Sequence, residues 1–128
     1  MAATGAALAA ANAHADVGVT FLTRSARVGT IVRARAPARM PLYLVPAARA
    51  PRPHRCGPNA LCEQRVPTRP RHAPYTPLHV LDRTPAGVIR VRVPRVRPGR
   101  YRAVLYCDAC YRGPGGSLVA SDNTLRVR

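Results

Sequence analysis

From Val17 onward, apolar and polar residues alternate over short runs bounded by turn residues, and apolar positions never recur at helical spacing. The runs predict strands at Val17–Thr23, Val28–Arg35, Pro41–Val45, Leu78–Leu81, Gly87–Val93, Arg100–Cys107, Ser117–Ser121 and Thr124–Arg128, with a turn around Ser25–Gly29. Alternation is clearest at Ile89-Arg90-Val91-Arg92-Val93, where a pleated strand sends the arginines to one face and the aliphatic residues to the other. The second half of Arg100–Cys107 is apolar on both faces, the pattern of a central strand. Fourteen prolines run from Pro37 to Pro114. Each costs about 3 kcal/mol inside a helix, so long helices are excluded. Seven to eight short strands at this spacing predict an all-β, immunoglobulin-like antiparallel β-sandwich.

One stretch breaks the pattern. Residues 46–77 hold eight prolines, six arginines and two cysteines with almost no strand signal. Structureless loops this long are uncommon in compact domains unless functional or mobile, and proline stiffens such a loop without secondary structure. Residues 46–77 therefore read as a long Pro/Arg-rich loop, the place for anything specific that the chain does.

Composition sharpens this picture. Leu, Ile, Val and Phe number 27 of 128, Trp is absent and Phe21 is the single phenylalanine. The core must be thin, and cross-links would help it. Residues 1–15, MAATGAALAAANAHA, carry small apolar residues followed by Ala13-His14-Ala15, an A-x-A cleavage pattern. They read as a signal peptide shortened at its start, because no basic residue precedes the apolar run. Residues 16–128 then form one domain. No later run reaches the ~18 apolar residues of a membrane-spanning helix, and the chain reaches Arg128 at an expected strand end, so neither a transmembrane helix nor a C-terminal anchor is expected.

Export gives the cysteines their meaning. Cys56, Cys62, Cys107 and Cys110 fall in two near pairs, and an even count in a small exported domain argues for disulfides. Four cysteines allow three connectivities. Local pairing, Cys56–Cys62 and Cys107–Cys110, is favoured because Gly57-Pro58-Asn59 supplies a turn for the first pair. Each small ring is worth about 2 kcal/mol in loop-closure arithmetic; a long-range pairing such as Cys56–Cys107, worth about 4 kcal/mol, is the alternative. A redox site at Cys107-Asp108-Ala109-Cys110 lacks the helix that would lower a thiol pKa, since Gly113-Pro114-Gly115-Gly116 follows directly. Zinc would need Cys-x5-Cys, a loose spacing, with His54 or His72. Catalysis by His14, His54, His72 or His79 finds few acidic partners among Asp16, Glu63, Asp82, Asp108 and Asp122. The glycine-rich turn lacks the ending and the helix of a phosphate loop. A non-enzymatic protein without cofactor is the expectation.

The net charge is +16, and all 21 basic residues are arginine. Arginine-only usage beside 22 alanines and 14 prolines fits the codon bias of a GC-rich genome. The charge attracts polyanions whatever its origin. Arg49, Arg52, Arg55, Arg65, Arg69 and Arg71 form the candidate anion-binding set. Tyr75 is the only aromatic residue of the loop available to stack on bases, so anionic cell-wall polymer or lipid headgroups suit it better than nucleic acid. Tyr101 follows Pro98-Gly99-Arg100 at the start of the strongest strand, the setting of a tyrosine corner. Tyr43, Tyr106 and Tyr111 supply further aromatic core and rim.

The stretches Met40–Pro46, Arg55-Cys56-Gly57 and above all Pro98–Tyr101 through Leu105-Tyr106-Cys107-Asp108-Ala109-Cys110 resemble a group of secreted actinobacterial proteins with an immunoglobulin-like fold. Tyr111–Leu118 and Leu125-Arg126-Val127 continue the resemblance, which covers roughly residues 17–128. It implies an extracellular or cell-surface β-sandwich and no particular activity. The expected function is a structural or adhesive surface module presenting residues 46–77 to an envelope polymer or a surface protein. An electrostatic polyanion binder is the alternative, and a thiol–disulfide redox protein the second. Mass spectrometry of the chain recovered from culture medium should find it starting at Asp16 with all four cysteines oxidised; an intact, fully reduced cytosolic chain would contradict export.

Overall fold

The computed structural model describes residues 18–128, apart from 38, 53, 58, 59, 63 and 111–113; for 54–57, 60–62, 64 and 109 it describes the backbone alone. The proposed leader, Tyr111, and the side chains of Cys56, Cys62 and Arg55 lie outside the described residues. The chain is all-β. A four-stranded antiparallel sheet runs in the order β1 (Thr20–Phe21), β3 (Ile31–Arg35), β10 (Val88–Arg92), β9 (Val80–Arg83). The larger sheet is built around β11 (Gly99–Cys107). One edge of β11 pairs with β13 (Leu125–Val127) at Gly99–Tyr101 and with β12 (Gly116–Ala120) at Val104–Cys107. The other edge pairs with β4 (Leu42–Pro46), beyond which lies β8 (Thr76–Pro77). The short strands β2 (Ser25–Ala26) and β7 (Gln64–Val66) add to β13 and β12.

Alternation decides what each sheet buries. In β3, Val32 and Ala34 point inward while Ile31, Arg33 and Arg35 face solvent, and in β10 Ile89 and Val91 alternate with exposed Arg90 and Arg92. These residues and Phe21 pack against Leu42, Leu44, Tyr101, Ala103, Leu105, Leu125 and Val127 of the larger sheet. The two sheets therefore close one core face to face, as a sandwich.

Two expectations are corrected. The run Val17–Thr23 and the expected turn at Ser25–Gly29 do not give one strand and a loop. The chain switches sheets after Phe21, so that β1 joins the smaller sheet and β2 pairs parallel to β13 in the larger. A parallel pairing was not part of the antiparallel pattern. The stretch 46–77 is also not a strandless loop. It contains a 3₁₀ turn (Ala47–Arg49), the hairpin β5–β6 (His54–Gly57, Ala60–Cys62), β7 and β8. Propensity missed these because they are two to four residues long, and β7 and β8 are fixed by pairing with strands far along the chain.

A polar clasp ties the sheets together where β12 ends. Ala103 N–H donates to Ser121 Oγ (3.0 Å), and the hydroxyl in turn donates to the Asn123 carbonyl (2.7 Å). The Asn123 amide mimics a strand partner for Phe21, accepting its N–H and donating to its carbonyl, both at 2.8 Å. Asp122 accepts from the Thr20 hydroxyl at 2.9 Å. The backbone of β1 thus depends on a side chain about a hundred residues away for two of its bonds. Replacing Asn123 with Ala removes both and leaves Phe21 unsatisfied at its main chain. Urea unfolding of N123A should show a loss of about 1–3 kcal/mol. The exposed Asp122→Ala should lose clearly less.

Candidate functional site

The larger sheet has a second apolar face, turned away from the sandwich core. Tyr43 and Val45 of β4, Val104 and Tyr106 of β11, and Leu118 of β12 line it, and all are buried. What buries them is the insertion 47–75. Leaving β4, it turns at Ala47–Arg49, places Ala50 against this face and pairs as β7 with β12 at the far edge of the sheet. It then returns through 67–74 to seat Val66 and Tyr75 on the same cluster before β8 rejoins β4. The Tyr75 ring meets the Tyr43 ring edge-on with centroids 5.7 Å apart, a favoured aromatic geometry. Gly116 permits this arrangement, because a Cβ there would fall 2.6 Å from Cζ of Tyr106.

This path sorts the six arginines of the insertion. Arg49 is exposed on the 3₁₀ turn, and Arg52 lines an open groove of ≈ 860 Å³ with Arg100, Arg102 and residues 118–122. Arg65 donates from Nη2 to the Pro114 carbonyl (2.9 Å), fastening β7 to the turn before β12. Arg69 and Arg71 lie at the opposite end of β11, where they line a pocket of ≈ 440 Å³ with Arg39, Pro41, Thr68, Tyr106 and Asp108. The Arg55 side chain lies outside the described residues. The five whose side chains are described do not form one contact surface. They divide between two ends of a sheet whose central strand is about 25–30 Å long.

Three arginines outside the insertion complete the two ends. Arg100 and Arg102 follow from the alternation of β11, which sets them on the face opposite Tyr101 and Ala103, the face that the insertion covers. Arg39 carried no periodic signal, because it sits in the turn between β3 and β4 with a left-handed φ of 55°. Several arginines are already engaged by the chain itself, Arg102 among them although it also lines the groove. Arg83 donates to the Ala36 and Pro37 carbonyls (3.1 and 2.8 Å), Arg92 to Gly29 (2.8 Å) and Arg102 to Ser121 (2.6 Å). Arg90 grips the Asp82 carboxylate across β9 and β10 with both Nε and Nη2. The two side chains are each about half exposed, and the guanidinium hydrogen bond holds the Asp82 carboxyl below the ordinary range.

Cys107 and Cys110 form a disulfide with Cα atoms 5.5 Å apart, closing the 3₁₀ turn Asp108–Cys110. Cys107 is fully buried at the end of β11. The bridge therefore works as a staple that holds Asp108 at the pocket rim, and attack on the Cys107 sulfur would first need the strand end to open. Tyr101, buried in the inter-sheet core, donates its hydroxyl to the Arg97 carbonyl four residues upstream at 2.6 Å. Among the described residues no three His, Cys, Asp or Glu side chains converge as metal ligands, and no helix is long and apolar enough to cross a membrane. No family model matches the chain, and neither does any curated protein or solved structure.

Electrostatics connects the pocket to the aromatic pair beneath it. Burial pushes the Tyr43 phenol above its ordinary value, while the positive fields of Arg69 and Arg71 pull it back. Burial alone raises Tyr75. A phenol with a raised folded-state pKa contributes stability that is whole below the ordinary phenol value and is lost as pH rises through the folded value. Alkaline unfolding should therefore set in above the ordinary phenol pKa. Spectrophotometric titration of the R69Q/R71Q variant should find Tyr43 ionising at still higher pH than in the native chain, with Tyr75 unmoved.

Proposed function

We propose that this chain is a non-enzymatic, exported or cell-surface immunoglobulin-like module that binds an anionic envelope polymer through the arginines at the two ends of its covered sheet. The observation that carries the reading is the division of labour among the arginines. One set is spent on backbone carbonyls and on Asp82 as structural staples. Another set, Arg52 and Arg100 on one side of the insertion and Arg39, Arg69 and Arg71 on the other, lines open grooves, with Arg102 belonging to both sets. A guanidinium in an open groove keeps its five donors for a ligand oxyanion.

Several features support the rest of the reading. The strand order β1-β3-β10-β9 against β13/β12-β11-β4-β8, with β2 switching sheets to run parallel to β13 and the insertion between β4 and β8, supports the immunoglobulin-like part of the reading. A local disulfide is the cross-link of an oxidising compartment. Among the described residues the groove at Arg52, Arg100 and Arg102 has no aromatic lining, and Tyr106 in the other pocket is buried, which favours a polymer of phosphodiesters over single-stranded nucleic acid. Binding through several separated phosphate contacts makes affinity additive along a chain and sensitive to salt.

The test is retention of the oxidised chain on an immobilised glycerol-phosphate polymer across a salt series. If about five phosphates are neutralised, affinity should fall on the order of a hundredfold between roughly 50 and 200 mM salt. Absence of retention at low salt, or retention that ignores salt, would overturn the reading; the latter would point to a protein partner instead.

A further inference from the structure

We propose that Arg39, Arg69 and Arg71 form a discrete subsite for one phosphate group of the bound polymer, an inference that rests on the polymer-binding reading and gives it a specific point of contact. The three arginines line a single pocket from two separate stretches of chain. Arg39 comes from the β3–β4 turn, and Arg69 and Arg71 from the returning arm of the insertion. Thr68 and Tyr106 border the same pocket and bring hydroxyl donors. Among the described residues none of the three arginines has a hydrogen-bond or ion-pair partner of its own, in contrast to Arg83, Arg90, Arg92 and Arg102. Three like charges against the single carboxylate of Asp108 leave a net repulsion, and a bound oxyanion lowers that cost. A planar carboxylate pairs with one guanidinium fork, whereas a tetrahedral phosphate presents oxygens to several at once.

The backbone supplies an independent observation. Arg39 is the non-glycine residue with positive φ among the described residues, at 55°. The left-handed region crowds a Cβ, and a residue other than Gly, Asn or Asp holds it at a cost in stability. Glycine would relieve that cost and would do everything a tight turn needs. What glycine lacks is the side chain with which Arg39 lines the pocket it shares with Arg69 and Arg71. Asp108, fixed by the Cys107–Cys110 staple, faces the same space. Its carboxylate competes with an incoming anion, so it sets the affinity rather than contributing to it.

The experiment follows the arginine Nε–Hε resonances of the oxidised chain during titration with inorganic phosphate and pyrophosphate. Arg39, Arg69 and Arg71 should shift together and saturate, while Arg49 and Arg52 should drift without saturation. R69A/R71A should lose on the order of tenfold or more in phosphate affinity, the loss of a charge-assisted contact. D108N should bind more tightly than the native chain. Arg39→Gly is the decisive variant: phosphate affinity should fall while the melting temperature holds or rises. If R39G melts lower with phosphate affinity unchanged, Arg39 is structural and the subsite fails. If all arginines shift alike, binding is diffuse and the subsite fails although retention on the polymer still stands. Loss of polymer retention by the native chain would instead remove the parent reading. Vesicles containing anionic phospholipid, run beside the glycerol-phosphate polymer with native and R69A/R71A chains, show which source of phosphodiester depends on the pocket.

Discussion

The larger sheet is apolar on both sides, and everything else follows from the need to cover the second side. Its first face closes the sandwich core in the ordinary way. Its second face carries Tyr43, Val45, Val104, Tyr106 and Leu118. Burying such side chains is worth about 1.5–3 kcal/mol each, and leaving them in water would create the kind of contiguous patch that drives association. The thin composition of the chain makes this contribution large relative to the whole, because one phenylalanine and few leucines must otherwise hold the interior. The insertion is therefore a third layer of the domain, and its prolines let it lie across the sheet without paying much more entropy than it has already lost.

That constraint also arranges the charge. A segment lying flat on a sheet has an underside that packs and an upper side and margins that meet solvent. Val66, Tyr75 and Ala50 take the underside. Arginines take the margins, where they meet Arg100 and Arg102 at one end of β11 and Arg39 at the other. The groups proposed to bind are thus held by a central strand, the turn between β3 and β4, and a proline-rich arm seated on aromatic rings. Asp108 at the rim is positioned by the disulfide, so the oxidised state of the chain and the shape of the pocket are linked.

Much of this was legible in the amino-acid order, for physical reasons. Alternation at Ile89–Val93 and the setting of Tyr101 are local signals, and local signals survive into the fold. The two-sided apolar half of β11 marked a central strand, and the prolines excluded helices. The layer over the second face was not legible, because β7 and β8 are short and their partners, β12 and β4, lie far away in sequence. The sheet switch after Phe21 was hidden for a similar reason: Asn123, one polar residue in a turn, holds the backbone of β1. The six arginines of the insertion were read as a set because they are neighbours in sequence. The path of the chain separates the five whose side chains are described, and Arg39, which no periodicity marks, joins two of them.

The most direct test is a nuclear Overhauser spectrum of the oxidised chain, aimed at the Tyr75 ring. A covering layer predicts cross-peaks from Tyr75 to the Tyr43 ring and to its apolar neighbours, together with dispersed Leu118 methyl shifts. Random-coil shifts for Tyr75 without contacts to Tyr43 would show an uncovered sheet, and the account of the insertion as a third layer would fall with it.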